Sequence, residues 1–202
     1  MNFHKYNITD SEVFDSSHFD LYQYRTYIGK HSVVTSVRNS YWYIDDKKVI
    51  SKTGDGSTID SEIVCVEIFG YTPEERSSSY SRYTDLPYIN GCSTKQLIAP
   101  NRLGDPTWQM LLIPPYTSEQ AHHIHSTARI VYVVEGCGIS HVGQGSNVTE
   151  ISLEPGNVII LDKMVPHHFS TQEHHLVVLP LHIFSSTELE YSHPMFNGTH
   201  KT

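Results

Sequence analysis

Ala121-His-His-Ile-His-Ser-Thr-Ala-Arg-Ile-Val-Tyr-Val-Val-Glu-Gly136, followed by Leu153-Glu-Pro-Gly-Asn-Val-Ile-Ile-Leu-Asp-Lys-Met-Val-Pro-His-His-Phe169, is the part of the chain that decides its reading. Two short β-branched runs, Ile130 to Val134 and Val158 to Leu161, each sit beside a Gly-containing turn, the mark of strands rather than helices. Side chains alternate along a strand, so in His122-His-Ile-His125 the rings of His123 and His125 share one face and His122 takes the other. Two imidazoles on one face can share a metal ion. A third ligand must then come from a neighbouring strand, and His167, just after Pro166, is suitably placed, with His168 turned the opposite way.

Working outward, the punctuation stays regular from Thr107 on, with strands expected near 107–113, 121–125, 129–135, 138–143, 149–153, 158–162, 167–171 and 175–184. Short strands at that spacing predict an all-β antiparallel barrel or jelly roll. In the first half, strands are expected at Leu21 to Ile28, His31 to Val37, Tyr41 to Ile44 and Ile63 to Phe69. The stretches from Lys52 and from Thr72 to Tyr83 read as loops, with a short helix near Pro73-Glu-Glu-Arg. The division falls near Pro100 to Pro106. It predicts a β-rich extension over 1–100, packing on the barrel or pairing with a partner subunit, and a barrel over 101–202.

Composition narrows the function. With 14 Lys and Arg against 22 Asp and Glu, the net charge of -8 argues against a phosphate-binding surface and hence against nucleic acid. No run of about 18 apolar residues suggests a membrane span, and the first residues carry no secretory pattern, so a cytoplasmic protein is expected. Cys65, Cys92 and Cys137 lack metal or redox spacing and read as buried thiols. Histidine is the anomaly, since nine of the 14 lie between His122 and His182.

These residues resemble the cupin superfamily over roughly Thr107 to Phe184. At the positions of its first motif, G-x5-H-x-H-x3,4-E-x6-G, stand Thr117, His123, His125, Arg129 and Gly136, with Thr117 and Arg129 departing from it. At those of its second, G-x5-P-x-G-x2-H-x3-N, stand Gly156, Asp162, Met164, His167 and Thr171, with Asp162, Met164 and Thr171 departing from it. All three histidines and both terminal glycines stand at the family offsets. The resemblance implies a cupin-type barrel, a three-histidine metal site and a homodimer that covers exposed edges.

Arg129 stands where metal-binding cupins supply a carboxylate ligand. A guanidinium cannot ligate a cation. At an effective dielectric of about 20, a unit charge about 5 Å from a dication is repelled by roughly 7 kcal/mol. Arg129 must therefore point away, pair with a carboxylate such as Glu119, or clamp an anionic substrate. Three-histidine cupins include dioxygenases of chelating substrates, so the resemblance makes an Fe(II) dioxygenase the leading expectation, with Zn, Ni or Cu as other metals. A Zn or Ni isomerase or lyase, and a non-enzymatic cupin that binds or senses a small molecule, are the alternatives. His182 is a candidate fourth ligand or acid/base group, while His174 and His175 read as ordinary histidines. Gln109, with Trp108, Met110 and Tyr132, reads as barrel packing that could also line a substrate pocket.

Overall fold

A computed structural model describes residues 3–17, 23–81, 84, 86–100 and 105–184. The strands are β1 (Phe3–Asn7), β2 (Glu12–Asp15), β3 (Tyr24–Ile28), β4 (His31–Val34), β5 (Ser40–Asp45), β6 (Lys48–Thr53), β7 (Thr58–Ser61), β8 (Val64–Ile68) and β9 (Arg76–Ser79). They continue as β10 (Leu86–Pro87), β11 (Ser93–Ile98), β12 (Thr107–Ile113), β13 (Thr127–Gly136), β14 (Gly138–Val142), β15 (Thr149–Leu153), β16 (Asn157–Leu161), β17 (His167–Ser170) and β18 (Leu176–Phe184). The paired strands run antiparallel wherever their register is defined. The all-β expectation holds, and no helix among the described residues is long and apolar enough to cross a membrane.

The chain divides into two compact units, residues 6–81 and residues 1–5 with 82–202. The division thus falls some twenty residues before the one read from the sequence, because β11 hydrogen-bonds to β12 and belongs to the second unit's sheet. The first unit holds a six-stranded sheet, β2-β3-β8-β5-β6-β9, and a two-stranded antiparallel pair, β4-β7. Its buried Glu67 carboxylate accepts hydrogen bonds from the Tyr41 and Tyr27 hydroxyls and the Asn39 amide, at 2.7, 3.1 and 2.7 Å. Those donors are what a buried carboxylate requires. The helix expected at Pro73 does not form. Four residues without an apolar stripe cannot offset helix nucleation, and the chain enters the edge strand β9 instead. Its serines show no apolar alternation, so the sequence pattern alone predicts a loop there.

The second unit carries a seven-stranded sheet, β1-β16-β13-β18-β12-β11-β10, and a three-stranded sheet, β15-β14-β17. Leu111, Ile113, Val131, Val133, Ile159 and Val178 from the larger sheet form one core with Val142, Leu153 and Phe169 from the smaller. The long pair β13 and β18 shifts register between Val133 and Glu135, and β13 ends at Gly136. There φ is +80° and an added Cβ would lie 1.8 Å from the His175 carbonyl oxygen, so only glycine fits. Cys65 and Cys92 are buried as expected, but Cys137, just past this turn, is exposed.

Candidate metal centre

One end of the second unit's core turns polar. Alternation along β13 places Arg129 on the inward face with Val131 and Val133, and β18 likewise presents His182, Pro180 and Val178. Arg129 and His182 are direct cross-strand partners. On β12, Gln109 shares the face of Leu111 and Ile113. Into this end the other layer delivers three histidines.

The expected strand at 121–125 is absent. That segment makes a single antiparallel bridge, His123 to His167, closed by backbone hydrogen bonds of 3.1 and 2.9 Å. His125 is fixed separately, its carbonyl accepting from the Met164 amide at 2.7 Å. Met164 occupies the position where the motif has glycine, and it adopts the left-handed φ of 62° that glycine would supply. The turn survives the departure from the motif at the cost of local strain.

The three rings converge. Their centroids lie 4.4 Å (His123 and His125), 4.8 Å (His123 and His167) and 5.3 Å (His125 and His167) apart. One ligand atom from each lies within 4.8 Å of the others. His123 Nδ1 is 2.9 Å from the Ala121 carbonyl and His167 Nδ1 is 2.7 Å from the Val165 carbonyl. A carbonyl only accepts, so each Nδ1 carries the proton and each Nε2 keeps its lone pair, the tautomer a metal needs. Burial first, then the Arg129 charge and the neighbouring imidazoles, push His125 and His167 well below the ordinary histidine range, which keeps both rings neutral. The three imidazoles, with the tautomers of His123 and His167, therefore fit a divalent transition ion.

The cavity is lined by His123, His125, His167, Arg129, Glu119 and His182, together with apolar side chains. Arg129 is only 5% exposed, which overturns a surface placement. Glu119 is buried with it. Burial raises the Glu119 carboxyl to about 7, with the Arg129 charge and a backbone hydrogen bond at Phe169 pulling the other way. The sequence suggests Glu119 only as a partner for Arg129, because its place opposite β17 depends on a 3.0 Å hydrogen bond from its own amide to Phe169. His174 and His175 stay outside the cavity. His175 faces Glu135 at 3.2 Å, and His174 lines a separate open groove of about 540 Å³. That groove is larger than the histidine cavity, about 40 Å³, but brings together no comparable set of ligands among the described residues. Trp108, Gln109, Met110 and Tyr132 are buried and do not line the histidine cavity.

A protein from Leptotrichia buccalis described as a cupin 2 conserved barrel domain protein superposes with a TM-score of 0.58 over 89% of this chain and 96% of its own, at 13% identity. The chain has the cupin fold. Two further cupin-fold neighbours widen the comparison. HEPD from Streptomyces albus, solved with 2-hydroxyethylphosphonate and Fe(II) bound, gives a TM-score of 0.59 at 7% identity, over 98% of this chain and 79% of its own. An oxalate decarboxylase gives 0.55 at 10% identity, over 91% and 78%. No protein-family model and no curated protein sequence matches the chain.

Proposed function

We propose that His123, His125 and His167 hold a divalent metal ion and that the protein is an enzyme acting on a small anionic or chelating molecule, with Fe(II)-dependent dioxygenation as its reaction. The observation that carries this reading is a buried guanidinium, Arg129, in the same cavity as the three converging imidazoles. A guanidinium beside a dication site favours an anion that can meet both charges. HEPD, which shares the fold, is a protein that holds a phosphonate with Fe(II).

Fe(II) when bound would supply Lewis acidity and redox chemistry with dioxygen, and Zn, Ni or Cu would suit the same donors. The chain's own residues set the substrate. Arg129 binds its carboxylate or phosphonate through two parallel N–H donors. Gln109, fully buried with no partner for either amide atom among the described residues, shares the inward face but does not line the cavity, so it would reach a substrate only by side-chain rotation. Glu119, titrating near 7, takes or returns a proton, and His182, beside Arg129 in register, orients the bound anion. The cavity of about 40 Å³ holds roughly three waters at 10–15 Å³ each, so the reacting part of the substrate has only a few heavy atoms. Exposed edge strands such as β2, β9 and β10 further suggest a homodimer, which a solution mass would test.

The test is reconstitution of untagged protein with anaerobic Fe(II), then oxygen uptake against small carboxylates, phosphonates, diketones and phenols. Metal-dependent uptake that disappears in His167→Ala supports the proposal. Turnover with Zn(II) and no oxygen would make it a Lewis-acid isomerase or lyase. Anion binding with no metal retained would make it a binding module.

A further inference from the structure

The residues adjacent to the inner ligands build a second constellation on the opposite face. His123 and His167 point inward, so their chain neighbours His122 and His168 point outward, one across from the other. Across β17 and β14 the partner of His168 is His141, and across β14 and β15 the partner of His141 is Glu150. His122, His168, His141 and Glu150 thus stand in one cross-strand row on the outside of the three-stranded sheet. Their side chains are in contact. His122 Nδ1 and His168 Nδ1 are 2.8 Å apart, the His141 and His168 rings stack at 4.2 Å and 6°, and His141 Nδ1 is 3.5 Å from a Glu150 carboxylate oxygen.

Tautomers follow from the partners. His122 Nε2 bonds the Gly143 carbonyl, which can only accept, so the neutral ring is protonated at Nε2 and Nδ1 keeps its lone pair. His168 Nδ1 must then donate to it. Two ring nitrogens on one metal with bonds of about 2.05 Å lie roughly 2.9 Å apart at a right angle and 3.4 Å apart at the tetrahedral angle. The His122 and His168 nitrogens are already at about that separation.

We propose that this row is a second divalent metal site, taking a borderline transition ion such as Zn(II) or Cu(II), with His122 Nδ1 and His168 Nδ1 as the primary pair and His141 and Glu150 completing the set by side-chain rotation. On binding, the proton of His168 Nδ1 passes through solvent to its Nε2. The ion would tie the 121–125 segment to β17 and β14, and it therefore grips from outside the two backbone segments that supply the inner ligands. Since His122 and His123 are adjacent, as are His167 and His168, occupancy outside stiffens the frame of the inner site.

Isothermal titration of the untagged full chain with Zn(II) tests this, using the parent, a His122→Gln/His141→Gln/His168→Gln variant and a His123→Gln/His125→Gln/His167→Gln variant. Two ions on the parent and one on the outer variant are expected, with one also on the inner variant. Cu(II) bound to the inner variant should show nitrogen hyperfine splitting from imidazole, lost when the outer substitutions are added. Equal stoichiometry in parent and outer variant overturns the proposal, as does an inner variant that folds but binds nothing. If the inner variant does not fold, the difference between parent and outer variant decides. Loss of the inner ion alone would instead count against the inner site's reading, so the two failures are distinct.

Discussion

Replacing Glu119 with glutamine should make the metal-free protein more stable at alkaline pH and leave it unchanged at acidic pH. Burial holds the carboxyl at about 7 in the folded protein, against 4.5 for the ordinary side chain. Between those values the folded state keeps a proton that the unfolded chain has released, so stability falls as pH rises through this window. The difference between about 7 and 4.5, at about 1.36 kcal/mol for each pH unit, comes to about 3 kcal/mol. Glutamine mimics the neutral acid and carries no such penalty. Parent and Glu119→Gln should therefore match near pH 4 in chelator, and the variant should lead by about 3 kcal/mol at pH 8.5. Urea unfolding at a series of pH values measures the gap, and other titrating groups cancel in the difference. A gap independent of pH, or one that favours the parent at high pH through a strong pairing with Arg129, would refute the reasoning.

Removing the guanidinium with Arg129→Met should tighten Zn(II) binding at the inner site and weaken binding of small anions, read by titration with each. Because His125 and His167 sit far below the ordinary histidine range, protons compete poorly for them, and bound metal should be retained well below pH 6.5, followed by metal release into a chromophoric chelator. The same depression predicts that the metal-free protein loses stability as pH falls below 6.5, where the unfolded histidines take up protons. Met164→Gly should relieve the left-handed backbone and stabilise by about 1 kcal/mol in urea unfolding. Gln109→Met should raise stability by about 1 to 2 kcal/mol in urea unfolding by removing a buried amide with no partner among the described residues.

Local periodicity determined much of this protein. Alternation and turn residues place β12, β14, β15 and β16 within a residue or so of their observed ends, and the motif offsets single out His123, His125 and His167. Those readings work because a strand's period of two and a glycine's freedom at Gly136 are properties of the chain itself. The weakly patterned strands escaped. β9 and β11 carry serine, threonine, lysine and glutamine, and only their hydrogen-bonding partners make them strands. Tertiary structure alone decided where Arg129 points, since its side is set by register with Leu161 and His182 across two strands. It also brought Glu119 into the cavity from ten residues upstream, and it lined up His122, His168, His141 and Glu150 from four separate segments. Such convergence depends on which strands pair and in what register, and that is fixed by burying one shared core rather than by any residue's immediate neighbours.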